Sequence, residues 1–255
     1  MNASELKQKF DQIIPKELSC EWDNDGLMVS SDSTKDIKKA LLTLDITPKA
    51  VERAVMLGVD AVFTHHPFIF KPLKNLCDSS ERSCLIFKLI KNNIAVFSYH
   101  TRLDSVEGGV NDVLANSLGL ENVHPLGDGE LSMARIGQIR DTSLDELSCR
   151  VKQALKAPSV ILARSAESNR IERVAVLGGS CDREFVYGAL DAGADVLVTG
   201  DASYNLLLDA NLDGLSVICA GHYSSENPVL SFFERELTNF GVEIFRFDCG
   251  YFEYL

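Results

Sequence analysis

Four of the five histidines in this 255-residue chain stand at or just past the ends of apolar runs, with acidic residues beside them. Thr64-His65-His66-Pro67 closes the run 59–63. His100-Thr-Arg-Leu-Asp104 follows 94–98, and His222-Tyr-Ser-Ser-Glu226 follows 215–220. Only His124 stands apart from this pattern, while Asp201 closes a further run at 196–199. Neutral imidazole is the commonest nitrogen ligand for transition metals and accepts Zn, Fe, Mn or Ni. An isolated His-His pair reads first as solvated or hydrogen-bonded. Four histidines gathered at strand ends, where α/β sheets collect their ligands, read as a metal site.

Three or four imidazoles with two or three carboxylates exceed what one tetrahedral ion takes. They suit two divalent ions bridged by a carboxylate or water, as in two-metal sites of about 3.5–4 Å spacing that activate water and polarise a substrate oxygen. Apart from Cys219 inside its run, no cysteine stands at these positions, which disfavours a thiolate site but does not separate Zn from Fe, Mn or Ni.

The elements that must position these groups come from pattern. Leu6, Phe10, Ile13 and Ile14 mark an amphipathic helix over 4–14, with Ser4 a plain N-cap and Pro15 ending it. A polar turn at 24–26 leads into a short strand, and 37–44 is a second strand. Thr47-Pro48 opens a helix as N-cap and N1, Gly58 stops it, and 59–63 is the strand that delivers His65 and His66.

The unit recurs. Gly58-Val-Asp-Ala-Val-Phe-Thr-His-His aligns with Gly193-Ala-Asp-Val-Leu-Val-Thr-Gly-Asp at an offset of 193 − 58 = 135, which also sets Thr47 opposite Asp182. The strand 173–177, the turn 178–182 and the helix 183–192 precede the second copy of this run. The runs ending in His100 and His222 correspond at 222 − 100 = 122, so the first copy carries about 13 more residues, assigned to the loop 68–84. Helices at 109–118 and 228–237 follow.

Strand–helix–strand–helix–strand in each copy predicts an α/β fold: two intertwined repeats with mixed, largely parallel sheets and a small α+β elaboration in the middle. The expected segments are a first repeat at 1–125, an inserted α+β segment at 126–170 and a second repeat at 171–255, with the site between the repeats. The insert holds a strand near 134–139, a helix opened by the capping box Ser143-Leu-Asp-Glu146, and a short strand at 160–163.

Composition narrows the partners. Thirty-seven acidic against 25 basic side chains give a net charge of −12, which argues against a nucleic-acid backbone as ligand. No apolar run approaches the roughly 18–20 residues of a membrane span, and the first residues lack the apolar region of a signal peptide. Seven scattered cysteines without a C-x-x-C pair fit a reduced cytoplasmic protein, with Cys84 and Cys219 packing as small hydrophobes.

Glu21-Trp-Asp-Asn-Asp-Gly-Leu, Thr64-His-His-Pro, Tyr99-His-Thr-Arg-Leu-Asp104 with Gly108-Gly-Val-Asn111, Val198-Thr-Gly-Asp201 and Gly221-His-Tyr-Ser-Ser-Glu226 together resemble the Nif-three-like dinuclear-metal proteins, a family that carries the name GTP cyclohydrolase I type 2. The resemblance runs in order over nearly the whole chain. It implies His65, His66, Asp104, His222 and Glu226 as ligands of two metal ions, and a toroidal homohexamer with its metal sites facing an inner cavity. The family commonly has Asn where this chain has Arg102, often a His where it has Asn205, and Gly where it has Cys181. Arg102 then adds a cation beside the metals, and Asn205 removes a possible acid/base group.

Other residues stay open at this level. His100 is a general base, an outer group beside Asp104, or a structural hydrogen-bonder. Asp45 is an outer acceptor or a cap. Cys181 at a helix start is a nucleophile or, more simply, a turn residue. Gly178-Gly179-Ser180 is a phosphate cradle or a plain turn, and Trp22 reads as packing. Two functions are weighed: a metal-dependent hydrolase, for which the name of the resembled family implies ring opening of a nucleotide-like substrate such as GTP, or a non-catalytic metal chaperone or ring-shaped interaction protein. For a triphosphate, the chain offers only Arg102 and lysines such as Lys71 and Lys74.

Overall fold

The computed structural model describes residues 1–165 and 170–248. Cys249 and the parts of the sequence segments at 166–169 and 249–255 lie outside them. The chain forms two compact units, one from Met1–Val106 joined by the segment starting at Leu230, the other from Glu107 through Val229.

The first unit opens with α1 (Ala3–Ile13). Its N-cap is Asn2 rather than Ser4, because Glu5 stands three residues on and completes a capping box. Then come β1 (Gly26–Val29), β2 (Lys39–Thr43), α2 (Pro48–Leu57), β3 (Ala61–Thr64), α3 (Glu81–Lys91), β4 (Ala95–Ser98) and the short α4 (Thr101–Ser105). Thr47 caps α2 as expected, and Gly58 ends it in the left-handed region.

The second unit runs through α5 (Val110–Ser117), β5 (Glu121–Pro125), β6 (Arg135–Thr142), α6 (Leu144–Ala154), β7 (Ile161–Ala163), β8 (Ile171–Ser180), α7 (Arg183–Asp191), β9 (Val196–Asp201), α8 (Tyr204–Leu212), β10 (Ser216–Cys219) and α9 (His222–Glu226). The chain then returns to the first unit as α10 (Leu230–Asn239) and β11 (Glu243–Arg246).

The first sheet has the order β1-β4-β3-β2-β11 and the second β5-β6-β8-β9-β10-β7. In both, the repeat supplies three adjacent parallel strands, β2-β3-β4 and β8-β9-β10. An antiparallel strand closes the third of each set, β1 on β4 and β7 on β10. The fold is therefore the mixed α/β architecture that the strand–helix alternation predicts.

The likeness extends to single hydrogen bonds. The Asp60 carboxylate accepts from the backbone N–H groups of Lys38 and Lys39, and Asp195, at the same 135-residue offset, accepts from those of Glu172 and Arg173. In each case a carboxylate satisfies backbone donors at the entry to a strand, where the ladder cannot.

Alternation along the strands divides each core into two faces. In the first unit Leu41, Val62 and Val96 pack on one side with Val51 and Ala54 of α2 and Leu89 of α3. On the other, Phe63 stacks on Phe97 at 4.5 Å, and Phe10 of α1 and Phe233 of α10 close over Phe63. In the second unit Val174, Val176, Val196 and Val198 pack with residues of α5 and α6, while Ala175, Leu177 and Leu197 pack with α7 and α8.

Two expectations need correction here. Gly178-Gly179-Ser180 is the end of β8 rather than a turn, and the ladder to β9 shifts register there. Cys84 is exposed on the first turn of α3, so it is not a core residue, whereas Cys219 is buried.

Candidate metal centre

Each histidine of interest sits where a parallel strand has just ended. In the first unit β3 delivers His65 and His66. The exit of β4 delivers His100, whose carbonyl accepts the N–H of Leu103 and starts α4, and that helix carries Asp104. The ligand-capable nitrogens of His65, His66 and His100 all lie within 4.8 Å of one another. His65 Nε2 lies 3.6 Å from Asp104 Oδ1. His65 is wholly buried.

In the second unit His222 opens α9 and Glu226 ends it, one turn along on the same face. His222 Nε2 is 3.2 Å from the nearly buried Glu226 Oε2. Asp201 at the end of β9 lies 3.0 Å from His222 Nδ1.

The decisive regularity concerns the other ring nitrogen. His65 Nδ1 lies 2.9 Å from the Tyr99 carbonyl and His66 Nδ1 2.8 Å from Asp45 Oδ1. His100 Nδ1 lies 3.0 Å from Asp23 Oδ1, matching Asp201 at His222. An oxygen acceptor at Nδ1 favours the proton there and the lone pair at Nε2, the tautomer and orientation of metal-bound imidazoles. Asp45 is thus an acceptor for His66 and not a cap. The donor set, imidazole nitrogen and carboxylate oxygen without thiolate, suits a divalent transition metal.

Asp23 was not visible as a site residue in the sequence, although it immediately precedes the polar turn at 24–26. Its carboxylate also accepts from the Thr101 backbone N–H and hydroxyl. Burial works against its charge, but the bonds from His100 and Thr101 outweigh that and bring its pKa down to about 2. The result is a carboxylate–imidazole pair beside the metal-donor cluster.

Close backbone approach builds the half-site of the second unit. A Cβ on Gly179 would fall 2.1 Å from Glu226 Oε1, and one on Gly200 would fall 2.4 Å from the Gly179 carbonyl. Gly179 also has φ +72, so both glycines are required for α9 to lie on β8 and β9. The Gly178 N–H donates to the Asn111 side chain and the Gly179 N–H to Ser225 Oγ. Both donors are spent, and the pair is not a phosphate cradle.

Two more expectations change, and the choice left open at Cys181 closes on the turn residue. Arg102 is buried rather than facing substrate: Nε donates to Asp25, Nη1 to Asp11 and the Ile14 carbonyl, and the guanidinium lies 4.7 Å from the Tyr99 ring centre. Cys181 is buried, and that burial pushes its thiol up to about 12, which leaves a turn residue and no nucleophile. Trp22 is 57% exposed, so it packs on other rings at the surface and not in the core. Asn205, Lys71 and Lys74 are exposed, and His124 lies on the exposed strand β5.

Comparison with known proteins places this geometry. Residues 1–250 match the family described as Duf34/NIF3 (NGG1p interacting factor 3). The chain belongs to the Duf34/NIF3 family. A family relative from Streptococcus pneumoniae, named GTP cyclohydrolase 1 type 2 homolog, is 37% identical over 228 residues, covering 88% of this chain and 85% of the relative. Among solved structures, reduced HcgD from Methanocaldococcus jannaschii is 32% identical with a TM-score of 0.83, covering 96% of this chain and 97% of that one. A Bacillus cereus protein related to NIF3 has a TM-score of 0.88 at 23% identity over 100% of this chain and 99% of that one, which shows the Duf34/NIF3 fold alone.

Proposed function

We propose that this Duf34/NIF3 protein is a dinuclear-metal hydrolase acting on a nucleotide-like small molecule. Its ligands in this reading are His65, His66 and Asp104 of the first unit and His222 and Glu226 of the second. The observation that carries it is the oxygen acceptor at Nδ1 of His65, His66 and His222, which favours the tautomer whose Nε2 lone pair can bind a metal.

A divalent pair supplies Lewis acidity and a water made acidic enough to attack near neutral pH. The chain supplies the rest. His100, oriented by Asp23 through Nδ1, takes or returns a proton at Nε2, and Asp23 stabilises the imidazolium that this creates. Asp45 and Asp201 hold His66 and His222 in register. Ring opening of GTP is the specific reaction that the names of the relatives suggest. The same reading extends to a cytoplasmic homohexamer with a small-molecule ligand and no nucleic acid, in keeping with the net charge of −12.

A second reading, a metal carrier without turnover, draws on one observation. Arg102 and the Gly178 and Gly179 N–H groups are all committed inside the fold, so none is available to a triphosphate. Elemental analysis of the wild type and Glu226→Ala, paired with a formate-release assay on GTP, separates the readings. Two ions per chain, fewer in the variant, and formate release are expected. Fewer than one ion in the wild type refutes the dinuclear centre; two ions without formate refute the GTP reaction.

A further inference from the structure

Trp22 and Phe70 stand exposed at the rim of the histidine cluster in the first unit, at 57% and 39%. Their ring centres are 6.0 Å apart at 70°, an edge-to-face pair. The His100 imidazole meets both nearly edge-on, 6.1 Å from Trp22 and 6.3 Å from Phe70.

The two loops that carry these rings are fixed to one another. Asn24 Nδ2 donates to the Ile69 carbonyl at 2.5 Å. The neighbouring Asp25 accepts from Ser19 Oγ and from the buried Arg102. Phe70 also lies in the stretch between β3 and α3 that has no counterpart between β9 and α8, so the ring comes from the extra residues of the first repeat. The pair is therefore built in and pre-ordered, yet neither ring is used by the core.

We propose that Trp22 and Phe70 form a ring-binding subsite that takes the planar nitrogen heterocycle of the substrate and holds it against His100. The proposal rests on the hydrolase reading for its substrate and names the part of that substrate which this chain grips. Two π-faces at an angle allow a flat ring to stack on one and meet the edge of the other, a contact open to any heteroaromatic ring. It also suits an acidic chain, since stacking draws on apolar contact and not on attraction to phosphates.

Trp22 is the sole tryptophan of the chain, so its emission reports the subsite directly. The full-length, metal-loaded protein is titrated with guanosine monophosphate and, separately, with ribose 5-phosphate. Saturable quenching by the nucleotide alone is expected, with an affinity little changed by salt. Phe70→Ala should weaken that binding by on the order of 5- to 150-fold. Equal responses to both ligands, unchanged affinity in Phe70→Ala, or a Trp22 that acrylamide cannot reach in the native assembly would each overturn the subsite.

Turnover separates the two ideas. Nucleotide quenching without formate release keeps the subsite and defeats GTP hydrolysis. Formate release with an unchanged KM in both Phe70→Ala and Trp22→Phe keeps the hydrolase and defeats the subsite.

Discussion

Replacing Arg102 by Met should cost the first unit about 3–5 kcal/mol, the usual loss when one partner of a buried ion pair is removed. The structure assigns most of that to Asp25. Asp11 is partly exposed and keeps Lys7 at 2.5 Å, so it retains a cation. Asp25 is almost fully buried and, among the described residues, keeps the Ser19 hydroxyl alone. The Ile14 carbonyl loses its guanidinium donor as well. Methionine fills most of the volume, so the cavity contribution is small. For a chain of this size, each kcal/mol moves the melting temperature by about 2–4 °C, and the expected drop is roughly 6–20 °C. Urea unfolding of Arg102→Met, Asp25→Asn and the double variant checks it. The double variant should be less damaged than the sum of the singles by about 2 kcal/mol, because it leaves no uncompensated charge. A loss below about 1 kcal/mol in Arg102→Met, or strict additivity, would refute the buried-pair account. A changed KM at unchanged stability would return Arg102 to the substrate.

Two further outcomes follow from the same geometry. Asp23 has its pKa lowered from 3.8 to about 2 in the folded chain, so the stability it confers is present above pH 4 and fades as pH falls from about 4 to 2. The gap between the wild type and Asp23→Asn, roughly 2 kcal/mol at pH 5, should close over that acid window in pH-dependent urea unfolding. Gly179→Ala puts a methyl group onto Glu226, whereas Gly214→Ala, also at positive φ, meets nothing within 4 Å. Calorimetry should show Gly214→Ala losing only about 1–2 kcal/mol of backbone strain and Gly179→Ala losing several. Metal content should fall in Gly179→Ala alone.

The layers of this fold were legible because they rest on local periodicity. The 135-residue offset carried Thr47 to Asp182 and Asp60 to Asp195, and the structure uses each pair in the same way. Strand ends rich in histidine were equally plain. What pattern could not reach were partners distant in sequence: Asp23 with His100 is 77 residues apart, and Asp11 with Arg102 is 91. A lone cation near acidic motifs reads as a substrate group until the loop holding Asp25 is seen to fold over it. Gly-Gly resembled a turn because the signal for a turn and for a strand bulge under close approach is the same residue. Trp22 was misread because an indole's burial depends on where its loop lies.

The return of the chain into the first sheet has a bearing on how the protein is made. Among the described residues the second unit runs from Glu107 to Val229, while the first waits for α10 and β11. Until α10 leaves the ribosome the aromatic face beneath α1 lacks Phe233, and until residues 243–246 follow, β2 has one open edge. The described part of the later unit can thus be in place while the earlier one still shows a bare strand and an uncovered apolar layer. Such surfaces are where nascent chains mispair. Truncation before β11 should therefore trap a partly folded chain with a sound second unit, a liability that full-length synthesis passes through each time.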